Sequence, residues 1–258
     1  MYYLSHSKSK DPIPDNLLKG SFDLKDGRFV SFCDRFKYLR TYITPNLRDN
    51  FDIEARIMAA KANFYAYKES LYCNFEIDIK IRKEMYMAMT VNILLWGSDS
   101  WALSEIHLKK LSSFHNRCTR AICRCPMDLV QERHIKTAKL HGQLNMPDME
   151  ALVTIRQLRF LIRVAKMDES RLTRQVMSSQ GVRTKDTNVK GSKLTSRSAY
   201  RNALIRGKVV SEEEKKSCIL TDTWTRGLCN PKIGDIIEMK LKLPPGSFCK
   251  RKSREPRR

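Results

Sequence analysis

Residues 1–46 follow the alternation of apolar and polar positions that is typical of β-strands. In FDLKDGRFVSF, Asp26 and Gly27 lie between two alternating runs, and both residues tolerate the positive φ angles of a tight hairpin turn. RFKYLRTYIT, residues 35–44, is rich in aromatic and β-branched side chains and predicts one further strand. A Pro-Asn pair then interrupts the pattern. We therefore predict a small β-rich portion that ends at residue 46.

From residue 47 the apolar positions recur every three and four residues, which is the period of an amphipathic α-helix. The apolar stripe of the first predicted helix consists of Ile53, Ile57, Ala60, Phe64, Tyr67 and Leu71. A second helix is predicted to begin at Asp78, a favourable N-cap residue, and to end at Trp96 and Gly97, since glycine is common just past a helix end. Its predicted buried side consists of Ile81, Met85, Ala88 and Leu95.

Two further helices complete a predicted helical domain, residues 47–172. Ser104 is predicted to cap the third helix, whose apolar side consists of Leu108, Leu111, His115, Cys118 and Ile122. The fourth helix is predicted to hold Pro147 in its first turn, and its apolar side consists of Leu158, Leu161, Ile162 and Ala165. The pattern as a whole predicts a mainly α chain with a small N-terminal β portion.

Residues 173–258 are predicted to form a basic, partly disordered linker and tail. Between residues 171 and 210 there are ten Lys or Arg and a single acidic residue, Asp186, a composition that is typical of linkers. SRSAYRNALI predicts a short helix within this segment, and KIGDIIEMKLKL predicts a last small element. The final stretch, CKRKSREPRR, is typical either of a nuclear-localisation or polyanion-binding tail or of a solvated chain end.

The net charge of +21 limits the classes of partner that the chain is expected to bind. Self-repulsion of this size lowers stability unless a polyanion relieves it, so nucleic acid is the leading partner. The expected location is the nucleus, or the nucleus and the cytoplasm. An anionic membrane surface is the weaker alternative, because the charge is spread along the chain and lies beside no hydrophobic anchor. The longest apolar stretch, residues 85–96, is too short to span a bilayer, and MYYLSHSKSK lacks the apolar core of a signal peptide.

The cations are arranged in phase on two of the predicted helices. At 100° per residue one face of the third helix gathers Lys110, Arg117, Arg120 and Arg124, nearly opposite its apolar side. One face of the fourth helix gathers Arg156, Arg159, Arg163 and Lys166. Solvated helix faces usually mix charges of both signs, whereas neither of these faces carries an acid of its own. They are typical of contact with phosphates; an ordinary solvent face in a very basic protein is the alternative.

The sequence contains no recognisable catalytic constellation. There is no Gly-rich phosphate loop, no G-x-S-x-G or H-E-x-x-H motif and no adjacent Asp pair of the kind that two-metal phosphoryl transfer requires. The eight cysteines are predicted to be reduced thiols. His115, Cys118, Cys123 and Cys125 lie close together in sequence, but the helical pattern spreads Cys118 and Cys123 over different faces, so small packed thiols are favoured over a zinc site. Trp96 and Trp101 are expected to pack, with base stacking as the secondary alternative. We therefore predict no catalytic residue, no metal ligand and no cofactor in this chain.

Five segments, taken in order, resemble one known family over roughly residues 1–172. RFKYLRTYIT, ARIMAAKANFYAYK, NILLWGSDSWAL, KKLSSFHNRCTRAI and LRFLIRVAKMDESRL resemble the region downstream of the polymerase centre in reverse transcriptases of non-LTR (LINE-like) retrotransposons. In that family an FKYLG strand ends the palm, and a helical thumb follows with an LLYG-x-E-x-W turn, an F-x-x-R-x-x-R-x-I helix and a GH-x-x-RM helix.

The resemblance implies that residues 1–46 are the β-rich end of a polymerase palm and residues 47–172 a thumb-like helical bundle that grips template-primer nucleic acid. It implies that the catalytic aspartates, and the Mg²⁺ that they hold in the intact family enzyme, belong to a region upstream of Met1. Tyr38 and Leu39 match a primer-grip-like segment. Arg40 replaces the family's glycine, Asp99 replaces the glutamate of the turn, and Ile162 and Arg163 replace the Gly-His pair.

This chain by itself is therefore expected to bind an RNA/DNA hybrid or duplex through backbone contacts and to be inactive as a polymerase. Two alternatives stay open at this point. One is a nuclear nucleic-acid-binding or scaffold protein that acts without any polymerase. The other is a decayed element remnant.

Overall fold

The computed structural model describes residues 21–23, 29–31, 33, 35–44, 49–179, 200, 203–206, 228 and 232–240. Within these residues the chain is mainly helical, with a small antiparallel β portion towards its N-terminus, which confirms the predicted fold class. The turn predicted at Asp26–Gly27 and the basic end of the tail lie outside the described residues. The helix predicted around SRSAYRNALI is described at Tyr200 and at residues 203–206, all of which are helical.

Two short hairpins form the β portion. Strands β1 (Ser21–Asp23) and β2 (Phe29–Ser31) pair antiparallel, as the alternating pattern predicts. Strands β3 (Phe36–Tyr38) and β4 (Thr41–Ile43) also pair antiparallel, with Tyr38 opposite Thr41. The prediction of a single strand over residues 35–44 is therefore wrong. The chain reverses at Leu39 and Arg40, whose φ angles of 47° and 67° give the backbone handedness that a two-residue hairpin turn requires.

The helices occupy most of residues 49–179. In chain order they are α1 (Asn50–Ala66), a π-helical turn (Lys68–Tyr72), α2 (Ile79–Tyr86), a second π-helical turn (Met87–Val91), α3 (Asn92–Leu94), α4 (Glu105–Ile122), α5 (Met127–Glu132), α6 (Thr137–Leu144), α7 (Met149–Ala165) and α8 (Leu172–Ser179). A further helix, α9 (Ile233–Lys240), confirms the last element predicted from KIGDIIEMKLKL. The first predicted helix corresponds to α1, the second to α2 with α3, the third to α4 and the fourth to α7.

Side-chain caps fix the beginnings of three helices. The Asp78 carboxylate accepts a hydrogen bond from the amide of Lys80, as predicted for α2. The Ser104 hydroxyl accepts one from the amide of His107, which confirms the predicted cap of α4. The α7 helix begins later than predicted, because Asp148 is its N-cap and accepts from the amide of Ala151. Pro147 therefore lies before the helix and not in its first turn.

The π-helical turn after α1 changes which side chains reach the core. Because this turn inserts extra backbone relative to an α-helix, the apolar stripe shifts by about one position. Tyr72 in the turn is completely buried, whereas Leu71, which the α-helical period placed on the stripe, is half-buried. Tyr67, which precedes the turn, is exposed although the same period placed it on the stripe. The Tyr72 hydroxyl lies 3.1 Å from the Thr90 hydroxyl in the second π-helical turn, so the two irregular segments are joined inside the core.

The buried side of α2 differs from the one predicted. Ile81, Met85 and Ala88 are exposed, and only Leu95 of the predicted set is buried. Arg82 and Tyr86 point inward instead. The Arg82 guanidinium donates through one terminal nitrogen to the carbonyl oxygens of Tyr72 and Ile122 at 3.4 and 3.1 Å, and the Tyr86 hydroxyl lies 2.8 Å from His115 Nδ1. Hydrogen bonds to orphan carbonyls at the ends of other segments thus outweigh the hydrophobicity of Ile81.

The core divides into two clusters along α7. The first cluster joins the N-terminal half of α7 to α1 and α4, and its largest fully buried side chains include Trp101, Tyr72, Tyr86 and Leu111. The second lies on the C-terminal half of α7, where Leu158 and Leu161 pack with residues from beyond residue 199. Those residues are Tyr200, Ala203, Leu204, Leu228, Ile233 and Ile237. The described parts of the predicted tail therefore cover one side of α7.

Candidate nucleic-acid interface

A buried carboxylate joins the β3–β4 hairpin to the helices. Asp52, in the first turn of α1, is 1% exposed and accepts hydrogen bonds from the amide of Tyr42 and from the indole nitrogen of Trp101, each at 3.0 Å. The Arg56 guanidinium lies 3.4 Å from the same carboxylate. Sequence reasoning missed Asp52, because acids in the first turn of a helix are common and do not by themselves indicate a buried hub.

The turn that follows α3 packs directly against this hairpin. Gly97 has a φ of 79°, and a Cβ atom at this position would lie 3.1 Å from the Thr41 hydroxyl oxygen. Glycine is therefore needed for both its backbone conformation and the close approach of β4. The predicted helix stop at Trp96 and Gly97 is confirmed, since α3 ends at Leu94. The same turn brings Trp96 to the hairpin.

Four exposed apolar side chains lie at this junction, and we call them the hairpin patch: Phe36, Tyr38, Leu39 and Trp96. The rings of Phe36 and Tyr38 are stacked, with centroids 6.3 Å apart. The indole nitrogen of Trp96 donates to the Leu39 carbonyl oxygen at 3.1 Å. The structure thus places the two residues of the primer-grip-like segment, Tyr38 and Leu39, beside a tryptophan that is distant from them in sequence.

The four cations predicted on α4, which we call the α4 row, have different environments. Lys110 forms an ion pair with Glu54 of α1 at 2.7 Å. Arg117 is exposed and Arg120 is half-buried. Arg124 donates to the carbonyl oxygen of Cys73 and lies over the ring of Phe75. Arg124 therefore ties the end of α4 to a neighbouring loop, while Arg117 is the member most available to a partner.

The Lys110–Glu54 pair shows that α1 supplies an acid to a row that has none of its own. The hydrogen bond and the charge of Lys110 lower the pKa of Glu54. Because both side chains are largely exposed, the pair contributes little to stability. A phosphate that contacts Lys110 would have to compete with this carboxylate.

The four cations predicted on α7, the α7 row, begin at the hairpin patch. Arg156 donates to the carbonyl oxygen of Leu95 at 3.2 Å and to the side-chain oxygen of Asn92 at 2.6 Å. Burial lowers the pKa of this guanidinium. Arg156 thus holds the end of α3 and is not presented to solvent as a phosphate contact. Because Leu95 directly precedes Trp96, the row and the exposed indole are adjacent.

The rest of the α7 row faces outward. Arg159, Arg163 and Lys166 are exposed. Asp99, in the turn after α3, lies near this row: burial raises the pKa of its carboxyl group, and the charges of Arg156, Arg163 and Arg159 oppose that rise. The half-buried Asp99 therefore offsets part of the positive charge of the α7 row, and the exposed end of the row keeps a net positive charge.

A groove of about 580 Å³ separates α1 from α4 beside the α4 row. Its floor is apolar and its rim is basic; the residues that line it are Glu54, Ile57, Met58, Lys61, Lys109, Lys110, Ser113, Phe114 and Arg117. Arg117 is therefore one of several cations around this groove.

His115 and Cys118 of α4 are buried in the core, as the helical phase predicts. His115 is completely buried; its Nδ1 lies 2.8 Å from the Tyr86 hydroxyl and its Nε2 lies 3.2 Å from the Pro147 carbonyl oxygen. Burial lowers the pKa of His115 to about 3 and raises the pKa of Cys118 to about 12. Both groups are neutral at physiological pH, and both ring nitrogens of His115 have partners within the protein.

Within the described residues, no group of three or more His, Cys, Asp or Glu side chains is arranged to hold a metal ion. Among the same residues, no helix has the length and apolarity needed to cross a bilayer. Comparison of the chain with protein-family models, curated proteins and solved structures finds no match.

Proposed function

We propose that this chain is the palm end and thumb of a non-LTR retroelement reverse transcriptase, and that it binds duplex or RNA/DNA hybrid through the phosphate backbone. It has no polymerase centre of its own. The observation that carries the proposal is the exposure of Arg163 and Lys166 on the α7 row, in a chain whose net charge is +21. Exposed cations on one helix face can neutralise backbone phosphates and release their counterions.

The contacts of the other cations within the protein support the assignment of phosphate contact to the exposed ones. Arg156 and Arg124 bond carbonyl oxygens within the protein, and Lys110 pairs with Glu54. Such tied cations hold the fold, while exposed cations can exchange counterions for phosphates. The proposal therefore assigns nucleic-acid contact chiefly to Arg117, Arg163 and Lys166.

A gel-shift titration with salt tests the binding. If about four phosphates are contacted, affinity for a duplex is expected to fall about 100-fold between 50 and 200 mM salt. The triple variant Arg117→Glu, Arg163→Glu, Lys166→Glu is expected to weaken binding at least about tenfold at low salt. It is also expected to reduce the salt dependence, because fewer counterions are released.

A second triple variant provides the matched control. Arg133→Glu, Lys136→Glu, Lys139→Glu changes the net charge by the same amount at three exposed positions outside both rows. It is expected to weaken binding much less. Equal losses in the two triple variants, or an affinity that barely depends on salt, would contradict the proposed interface.

Primer extension tests the proposal that the chain has no polymerase centre of its own. The purified chain is expected to show no incorporation of nucleotides on a template-primer, because the sequence contains no adjacent Asp pair. Incorporation that survives removal of contaminating polymerases would overturn it. The control reaction is an active polymerase added to the same template-primer.

A further inference from the structure

The groove between α1 and α4, which we call the α1–α4 groove, has an apolar floor that reaches the surface. Ile57 of α1 and Phe114 of α4 line it, and Met58 at its edge is 64% exposed. Ala62 and Tyr65, one and two turns further along the same face of α1, are also exposed. Apolar surface therefore continues out of the groove along α1, and a contiguous surface of this kind is typical of a contact site.

The rim of the α1–α4 groove is basic. Lys61 lies on the α1 side, and three cations lie on the α4 side: Lys109, Lys110 and Arg117. Glu54 is the single acid among the described residues that line the groove, and it pairs with Lys110 at 2.7 Å. Within the described part of the chain, no carboxylate lies within 4 Å of Lys61, Lys109 or Arg117. Three rim cations therefore lie beside the apolar floor without an acidic partner there.

The length of the α1–α4 groove suits a short helix. Its lining runs from Glu54 to Lys61 on α1 and from Lys110 to Arg117 on α4, which is about 10 Å along each helix axis. An amphipathic helix that binds in a groove places its apolar residues at positions i, i+3 or i+4 and i+7, and these cover the same distance. The flexible thioether of Met58 can adapt to the side chains of such a helix.

Charge complementarity decides between the classes of occupant. Duplex nucleic acid would use the basic rim but gain nothing from the floor, where the Phe114 ring is only 4% exposed and offers no face for stacking. A neutral apolar partner would desolvate the rim cations without compensation. A second copy of this chain would bring another net charge of +21 to the contact. A helix with apolar residues on one side and acids along its edges complements the floor and the rim together.

We propose that the α1–α4 groove binds an acidic amphipathic helix of a partner protein. The apolar residues of this helix lie on the floor beside Met58, and its carboxylates contact Lys61, Lys109 and Arg117. Arg117 is shared with the proposed nucleic-acid contact, whereas Lys61 and Lys109 belong to neither the α4 row as predicted for phosphate contact nor the α7 row. The inference therefore goes beyond the proposed function and does not depend on it.

Fluorescence anisotropy with three labelled peptides of about 18 residues, long enough to form helix, tests the proposal. The first peptide has leucines at positions i, i+3, i+4 and i+7 and glutamates on both sides of this stripe. The second has the same composition in scrambled order, and the third has lysine in place of each glutamate. The intact chain is expected to bind the first peptide at least about tenfold more tightly than either of the others. Equal affinity for the first and the scrambled peptide would overturn the proposal, because charge alone would then account for binding.

A substitution at Met58 tests the apolar floor. Met58→Asp is expected to weaken binding of the first peptide at least about fivefold, because it places a carboxylate where leucine side chains would lie. Met127→Asp is the matched control, since Met127 of α5 is also exposed and lies outside the lining of the groove. It is expected to change the affinity by less than about twofold. Equal losses in the two variants would overturn the assignment to the groove.

Charge reversal tests the rim. The double variant Lys61→Glu, Lys109→Glu is expected to weaken binding of the first peptide at least about tenfold. The control Lys136→Glu, Lys139→Glu makes the same change in net charge at exposed positions outside the lining of the groove, and it is expected to weaken binding about twofold at most. Far-ultraviolet circular dichroism of each variant checks that it is folded. Equal losses in the two double variants would contradict contact at the rim.

Removing the acid of the groove is expected to increase affinity, which loss of folding cannot imitate. Glu54→Gln releases Lys110 from its ion pair, so the first peptide is expected to bind about two to three times more tightly at low salt. An unchanged or lower affinity would contradict the placement of peptide carboxylates at this rim.

The other occupants give different results. If no peptide binds while Lys61→Glu, Lys109→Glu weakens duplex binding as much as the triple variant of the proposed interface does, the groove belongs to nucleic acid and the inference is overturned. Self-association in sedimentation experiments that Met58→Asp abolishes would assign the groove to a second copy and overturn it as well. Selective binding of the first peptide by a chain that shows no salt-dependent duplex binding would support this inference and overturn the proposed function alone.

Discussion

At the scale of single residues, Arg40 has a conformation that its side chain does not favour. Its φ of 67° lies in the left-handed region, where a Cβ atom approaches the following carbonyl oxygen. The two-residue turn nevertheless requires this geometry at both Leu39 and Arg40. Glycine, which has no Cβ atom, adopts this φ without that contact.

Replacing Arg40 with glycine is therefore expected to stabilise the chain. Arg40→Gly should raise the free energy of unfolding by about 1 kcal/mol. Glycine removes the steric cost of the left-handed conformation, and the greater conformational entropy of glycine in the unfolded chain offsets part of this gain. Urea denaturation monitored by circular dichroism measures the change. Lys109→Gly, an equivalent substitution on the exposed side of α4, is the control and should lower the free energy of unfolding by about 1 kcal/mol. An unchanged or lower stability of Arg40→Gly would contradict the turn geometry.

His115 shows how burial sets a charge state. Its imidazole lies among Tyr86, Cys118 and His141, with ring centroids 5.7 Å from Tyr86 and 5.2 Å from His141. Burial lowers the pKa of His115 to about 3, below its ordinary value of 6.5, and lowers the pKa of His141 as well. The folded state therefore holds both imidazoles neutral under conditions in which the unfolded chain protonates them.

Stability is expected to fall as the pH falls below 6.5. Between pH 6.5 and about 3 the unfolded chain binds more protons at His115 than the folded chain does, so each pH unit lost costs about 1.4 kcal/mol. Thermal melts between pH 7 and 5 should show a decreasing melting temperature. His115→Phe should flatten this dependence, although it also lowers the stability at pH 7 by leaving the Tyr86 hydroxyl without this partner.

The exposed His134 provides the control for this pH dependence. His134→Phe is expected to leave the slope of stability against pH as it is in the unmodified chain. Equal slopes in His115→Phe and the unmodified chain would show that His115 does not cause the dependence.

At the scale of elements, helical phase is set by contacts between segments as well as by hydrophobicity. The period of α1 and α4 follows their apolar residues, and Ile53, Phe64, Leu111 and Ile122 are all buried as predicted. In α2 the inward residue is Arg82, because the carbonyl oxygens of Tyr72 and Ile122 need donors that no apolar side chain supplies. A periodicity argument cannot find such a residue, since it assigns every cation to the surface.

Arg82 is therefore expected to contribute more to the stability of the fold than a surface arginine does. Arg82→Met keeps the aliphatic packing but leaves two buried carbonyl oxygens without this donor, so the free energy of unfolding should fall by about 2–4 kcal/mol. Urea denaturation measures this change. Lys80→Met, on the exposed side of the same helix, should change stability by less than about 0.5 kcal/mol. Similar effects of the two substitutions would contradict the buried role of Arg82.

At the scale of the whole molecule, the net charge of +21 opposes folding through self-repulsion. Tied cations such as Arg156 and Arg124 reduce the charge presented to solvent only locally. Salt screens the remaining repulsion, and a bound polyanion neutralises it. The stability of the chain should thus depend on its ionic surroundings more than that of a protein near neutrality.

Thermal melts are expected to show both effects. In the absence of nucleic acid the melting temperature should rise between 50 and 500 mM salt, as screening increases. At low salt, duplex at about 100 times its dissociation constant should raise the melting temperature by about 5 °C through preferential binding to the folded state, and added salt should abolish this shift. A neutral polysaccharide at the same mass concentration is the control. A duplex-induced shift that persists at 500 mM salt would contradict a backbone-dominated contact.

The sequence by itself determined the fold class, the caps at Asp78 and Ser104, the helix stop at Gly97 and the packing side of α4. Local propensity and the period of apolar residues govern these features, and both can be read along the chain. The sequence also located the cations that lie within α4 and α7, since their phase is a property of each helix alone. The prediction of Arg124 on the same face of α4 is wrong, because α4 ends at Ile122 and Arg124 has a φ of 53°.

Only the tertiary structure decided which of those residues are available to a partner. Whether a cation is exposed depends on the carbonyl or carboxylate that another segment brings to it, as Leu95 does for Arg156 and Glu54 does for Lys110. The exposure of Trp96 beside Tyr38 likewise follows from the packing of Gly97 against Thr41. Contacts between segments distant along the chain leave no periodic signal, and so the hairpin patch, Asp52 and the inward Arg82 emerged only when the segments were seen together.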